Sequence, residues 1–157
     1  MREIKYGRLE PFQKMLLDAA TIVMRTAYCP YPNFSVGAAL LSQSGEIITG
    51  SNVENAAYSP VICAERSALV TANARGIRTF DSIAVIAKRG DDDTTEVTAP
   101  CGHCRQMLYE SAQISERNLE IIMATTRKDK IVIVTIEELL PLAFGPKDLG
   151  IDVQRYK

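Results

Sequence analysis

Leu119-Glu120-Ile121-Ile122-Met123-Ala124-Thr125-Thr126-Arg127-Lys128-Asp129-Lys130-Ile131-Val132-Ile133-Val134 is the stretch on which the fold turns. Its ends, Leu119 to Ala124 and Ile131 to Val134, are apolar runs of strand length. The polar connector between them, Thr125 to Lys130, is shorter than the dozen or more residues a parallel crossover needs, so these last two strands are expected to be antiparallel. Upstream, Ile83 to Ala87 is a wholly apolar run, the pattern of a strand covered on both faces. Between it and Leu119 lies a helical stretch from Gly102 to about Ala112, preceded by Pro100. Further back, Phe34 to Leu41 and Glu46 to Gly50 flank Ser42-Gln43-Ser44-Gly45, the turn chemistry of a hairpin. Apolar residues at three- and four-residue spacing place one helix from about Leu9 to Thr26, with Pro11 in its first turn, and another from Cys63 to about Ala74, closed by Gly76. The segment Tyr28-Cys29-Pro30-Tyr31-Pro32-Asn33 stops the first. Thr135 caps a short final helix, Ile136 to Leu140, which Pro141 ends. The expected class is α/β: a three-layer α/β/α sandwich around a five-stranded mixed sheet, with residues 1–157 as one domain.

Composition narrows the function. The 157 residues are 46% hydrophobic and 24% charged, and 18 Lys+Arg against 19 Asp+Glu leave a net charge of −1, which disfavours a nucleic-acid polymer or an anionic membrane as partner. No apolar run reaches the ~20 residues of a membrane span, and the N-terminal MREIKYGRLE has no apolar signal region, so a cytoplasmic chain is expected. The three consecutive aspartates, Asp91 to Asp93, read as a solvated loop. Four Cys and one His are the entries that point to chemistry, because thiols in a reducing compartment serve metals or catalysis more often than disulfides.

Cys101 and Cys104 form a Cys-x-x-Cys pair at the start of a helix, with both sulfurs on one face. Taken alone the pair admits three readings: a zinc clip, a thioredoxin-like redox pair, or two core cysteines. A redox pair belongs near the chain start after a first strand, whereas this one follows the third predicted strand. Cys63 also starts a helix, and helix N-termini favour thiolates, so two sheet-packed helices could converge three sulfurs on one ion. A closed structural site would need a fourth ligand, for which Cys29 and His103 are the candidates. Glu65, two residues after Cys63, favours an open catalytic site: a carboxylate there is either a helix N-terminal charge or a general acid/base beside a metal-activated water. Cys-Ala-Glu followed at a distance by Pro-Cys-Gly-His-Cys is the pattern of zinc nucleobase deaminases.

Longer stretches sharpen that pattern. Tyr28 to Ala39, Asn52-Val53-Glu54-Asn55-Ala56-Ala57-Tyr58-Ser59, Ile62 to Ala68, Pro100-Cys101-Gly102-His103-Cys104-Arg105-Gln106 and Glu138 to Pro146 together resemble the small homotetrameric cytidine deaminases of nucleoside salvage, nearly end to end. The resemblance implies Cys63, Cys101 and Cys104 as ligands of one Zn2+ per chain and Glu65 as the proton shuttle. It also implies Asn52 and Glu54 as readers of the ribose hydroxyls, Phe34 against the pyrimidine, Ala64 at the substrate, and Tyr58 and Phe144 closing the sites of neighbouring subunits. Arg66 would donate to ligand sulfurs, whose three negative charges outweigh one zinc ion. The implied reaction is hydrolysis of cytidine and 2′-deoxycytidine to uridine and 2′-deoxyuridine; a modified cytosine nucleoside or a cytosine-bearing antibiotic such as blasticidin S is the alternative substrate. His103 stands where the family commonly has a small residue, and the tail after Lys147 has no counterpart in the motifs.

Overall fold

The computed structural model describes residues 1–31 and 33–157; Pro32, one of the two prolines expected to stop the first helix, lies outside the described residues. Six strands form one sheet: β1 (Arg2–Ile4), β2 (Phe34–Ser42), β3 (Ile47–Ser51), β4 (Phe80–Arg89), β5 (Glu120–Ala124) and β6 (Ile131–Thr135), in the order β1-β6-β5-β4-β2-β3. The helices are α1 (Pro11–Val23), α2 (Ala64–Ala74), α3 (Gly102–Ser115) and α4 (Ile136–Leu139). As the short connector requires, β5 and β6 are antiparallel, from Glu120 opposite Thr135 to Ala124 opposite Ile131. Among the described strands of the sheet only β4 and β5 run parallel, and α3 makes the crossover between them.

The expected count of five strands is corrected to six. β1 has no alternating apolar pattern of its own; it exists because Arg2 to Ile4 pair with the free edge of β6, held by the Met1 ammonium on Glu138 and by Arg2 on Glu120 at 3.5 Å. β4 exceeds the run Ile83 to Ala87 at both ends because β2 pairs with it from Phe34 opposite Arg89 to Ser42 opposite Phe80. The last turn of the first helix, Met24–Thr26, tightens to 3-10 geometry, so the α-helix proper ends at Val23. Thr135 caps α4 through the Glu138 amide, and the Glu138 carboxylate answers to the Thr135 amide at 2.9 Å.

Alternation along the strands builds the three layers. Ile83 and Val85 face a core shared with Ala64, Ala68 and Leu108 of α2 and α3, while Ala84 and Ile86 face Leu16, Leu17 and Ala20 of α1. Two glycines set how closely the layers approach. A Cβ on Gly50 would lie 2.3 Å from the Ala68 nitrogen and 2.5 Å from the Ala64 oxygen, and one on Gly37 would lie 2.0 Å from the Ala20 oxygen. Backbone atoms cannot yield as a flexible side chain does, so Gly50→Ala is expected to push α2 off β3 and lower unfolding stability by about 1–3 kcal/mol or more. Urea unfolding read by circular dichroism checks this; an unchanged midpoint would show that the contact is looser than the backbone spacing implies.

The close packing has a functional consequence. β2 starts, β3 ends and β4 ends at the same end of their strands, and Ala64, beside Gly50, is the first residue of α2. Helix N-termini and strand ends therefore converge there.

Candidate active site

Cys63 and Cys101 occupy the position just before the first turns of α2 and α3, each in extended backbone conformation, and the buried Cys104 sits within the first turn of α3. Their sulfurs converge: Cys63 Sγ lies 3.7 Å from Cys101 Sγ, Cys101 Sγ lies 3.6 Å from Cys104 Sγ, and all three fall within 4.8 Å of one another. A tetrahedral zinc ion with Zn–S bonds of ~2.3 Å places neighbouring sulfurs ~3.8 Å apart, so the donor set fits one zinc. Of the two candidates for a fourth ligand, Cys29 instead meets Ser35 Oγ at 3.2 Å, and His103 is not part of the cluster.

The electrostatics of the trio call for a cation. The Cys63 thiol is lowered to about 6, first because Cys104 hydrogen-bonds to its sulfur and then through Cys101 and the charge of Arg66, against the opposing effects of burial and Glu54. Cys104 is pushed in the other direction, because its proton is the one held on the Cys63 sulfur and its surroundings are buried. Beside them Glu65, only 4% exposed, has its carboxyl raised, chiefly by burial and further by the Cys63 thiolate. Core packing alone does not account for a carboxylate in that place.

Three chain segments knit the wall next to Cys63. Tyr28 donates to the Asn52 carbonyl at 3.0 Å, Glu54 donates to the Tyr28 carbonyl at 2.7 Å, and Val53 and Ile62 exchange backbone hydrogen bonds at 2.9 and 3.0 Å. The buried Asn52 side chain locks this arrangement: its Oδ1 accepts from the Val36 amide at 2.8 Å, and its Nδ2 donates to the Phe34 carbonyl at 2.9 Å and to Glu54 Oε1 at 3.1 Å. Phe34, Asn52 and Glu54 are thus joined by hydrogen bonds, Glu54 is near enough to act on the Cys63 thiol, and Ala64 and Glu65 follow Cys63 directly in the chain. Arg66 lines a cavity of about 610 Å3 with Tyr58, Val61, Cys63, His103 and Gln106, within the size range of small-molecule pockets.

Two expected residues are not packed in the single chain. Tyr58 is 77% exposed on a turn, and Phe144 is 60% exposed after α4, its carbonyl held by Gln106 Nε2 at 2.8 Å. Arg105, to which the sequence reading assigned nothing, donates from Nε to the Pro100 carbonyl at 2.8 Å and from Nη1 to the Leu139 carbonyl at 3.1 Å. No spacing rule could have found it, because one acceptor is 34 residues away and both are backbone atoms. The tail lies along α3: Gln154 Nε2 donates to the Gln113 carbonyl at 2.8 Å, and Lys157 pairs with Glu116 at 2.5 Å.

Comparison with known proteins agrees with this geometry. Residues 11–119 match the family described as the cytidine and deoxycytidylate deaminase zinc-binding region. The cytidine deaminase of Halalkalibacterium halodurans is 39% identical over 138 residues, 88% of this chain and 98% of that protein. That of Sporosarcina psychrophila is 43% identical over 124 residues, covering 79% and 85%. The crystal structure of cytidine deaminase from Burkholderia pseudomallei superposes with a TM-score of 0.74 at 40% identity, covering 83% of this chain and 98% of that one.

Proposed function

The chain belongs to the cytidine and deoxycytidylate deaminase family, and from that membership we propose how its own residues divide the work of deaminating cytidine and 2′-deoxycytidine. The reaction is zinc-dependent hydrolysis: water replaces the exocyclic amine at C4, giving uridine or 2′-deoxyuridine and ammonia. The observation that carries this reading is the convergence of three sulfurs at two helix N-termini with a buried carboxylate two residues beyond the first.

Cys63, Cys101 and Cys104 hold the ion. When bound, zinc supplies Lewis acidity and brings the pKa of a water toward about 7. Glu65 takes one proton from the water that attacks C4 and passes it to N3, then takes the second from the resulting C4 hydroxyl as the carbonyl forms and gives it to the departing amine; its burial, which keeps the carboxyl readily protonated, suits these transfers. Arg66 offsets the excess negative charge of three thiolates, in keeping with its effect on Cys63. Glu54 and Asn52 take the ribose hydroxyls: Asn52 fixes the Glu54 carboxylate and keeps lone-pair capacity on Oδ1. Phe34 packs against the pyrimidine, and Ala64, at the first helical position, lines the pocket beside it. Loss of cytidine absorbance with release of ammonia tests the activity; a zinc-loaded chain that deaminates no cytosine nucleoside would overturn it.

Residues 1–157 act as one catalytic domain in a homotetramer whose subunits share sites. What supports this is exposed apolar surface: Leu142 is fully exposed, Tyr58 and Phe144 largely so, and an apolar groove of about 390 Å3 between α2 and α3 leaves Val70 and Met107 uncovered. Balanced charge favours a free nucleoside over a polymer, and no helix among the described residues is long and apolar enough to cross a membrane. Three thiolate ligands suit a reducing compartment, and the cytoplasm is the setting we propose. Mixing inactive Glu65→Gln chains with impaired Phe144→Ala chains is expected to restore activity, since about a quarter of the sites regain both groups on random assembly. Activity no greater than the sum of the separate variants would show that each site is built by one chain.

A further inference from the structure

Of the three ligand sulfurs, that of Cys101 is the least held by packing. Cys104 is buried and Cys63 follows the paired Val53 and Ile62, whereas Cys101 is exposed. Of its neighbours, Pro100 is buried but has no N–H to donate, and a Cβ on Gly102 would meet nothing within 4 Å. The constraint on Cys101 comes from one turn further along α3, where Arg105 reaches back to the Pro100 carbonyl at 2.8 Å and across to the Leu139 carbonyl, at the end of α4, at 3.1 Å. The Pro100 carbonyl and the Cys101 nitrogen share one rigid peptide plane, so holding the carbonyl sets the orientation from which Cys101 projects its sulfur. Leu139 lies in the last turn of α4, where carbonyls have no intrahelical partner and a guanidinium is a favourable donor. Arginine suits this bridge because its donors are fixed in one plane, whereas a lysine brings a single point of charge on a flexible stem.

We infer that Arg105 is a positioning residue for the metal centre: by tying the Pro100 carbonyl to the end of α4 it holds Cys101 in register with Cys63 and Cys104. This rests on the zinc reading above, and Arg105 itself touches no reacting atom. The two contacts also link the metal-bearing turn to the segment leading to Phe144, whose carbonyl the adjacent Gln106 holds.

Zinc affinity of the purified full-length protein, measured by competition with a chromophoric chelator, tests the inference. Arg105→Gln is expected to weaken zinc binding by about 10–100-fold, the range for residues that support ligands. Arg105→Lys is expected to fall between it and wild type, because one of the two contacts survives. On cytidine, kcat should fall in that order with KM unchanged. Leu17→Ala, on the α1 face, provides the comparison: it lowers Tm through the core but should keep wild-type zinc affinity. Wild-type affinity in Arg105→Gln, or an equal loss in Leu17→Ala at equal Tm, would overturn the inference. A wild-type chain that binds no zinc would overturn the metal reading itself, and the positioning role with it.

Discussion

Glu65→Gln is expected to lower kcat on cytidine by about 10²–10⁴-fold while one zinc per chain stays bound. Glutamine keeps the length and volume of glutamate at a position only 4% exposed, so packing in the first turn of α2 is preserved. What disappears is the proton-accepting carboxylate, without which the attacking water keeps its proton and N3 and the amine lose their donor. The three sulfurs are untouched, so metal content should not change, and KM should change little because the ribose contacts are proposed for Asn52 and Glu54. Stability moves the other way. Burial raises the Glu65 carboxyl pKa in the folded chain, so its stabilising contribution is present at low pH and lost as pH rises through that raised value. Glutamine has no such titration, and the metal-free variant should gain on metal-free wild type as pH rises through the same range. Cytidine absorbance, metal analysis and urea unfolding at several pH values read all of this. Turnover within tenfold of wild type would remove Glu65 from the chemistry.

Cys104→Ala is expected to empty the metal site and bring cytidine turnover to background. Apparent zinc binding free energies of about 10–16 kcal/mol for structural sites with four protein ligands make each such ligand worth roughly 3 kcal/mol, or about a hundredfold in affinity. Cys104 should exceed that share, because it is the buried member of the trio and its loss leaves an apolar gap beside the Cys101 sulfur. Alanine keeps the helix and introduces no polar group into the core. Cys29→Ala should retain zinc and activity, since that sulfur hydrogen-bonds to Ser35 and is not one of the three clustered sulfurs. Zinc per chain after dialysis against a chelator, with turnover on the same samples, reads both; a zinc-replete, active Cys104→Ala would show that the ion is held by other groups.

Much of this arrangement is legible in the chain because it depends on local physics. The six-residue connector after Ala124 leaves no room for a crossover, and β5 and β6 are antiparallel for that reason. Three- and four-residue spacing places α1 to α3 to within a few residues, and the thiols of Cys63 and Cys101 are recognisable as metal donors because each stands at a helix start. β1 is not legible in the chain, since three residues paired to a free edge have no periodicity to read. β4 extends beyond its apolar run for a related reason: its ends are strand because β2 lies beside them.

The sequence by itself determined the layered α/β class, the donors for zinc and the carboxylate beside them, since residue type, spacing and helix polarity are properties of short segments. Only the tertiary structure decided that the three sulfurs stand 3.6–3.7 Å apart in the two closest pairs, that Asn52 locks Phe34, Val36 and Glu54 together, and that Arg105 ties the Cys101 turn to the end of α4. These are contacts between backbone and side-chain atoms far apart in the chain. Their existence depends on how closely α2 and α3 pack on the sheet, and the missing Cβ of Gly50 is what allows that approach for α2.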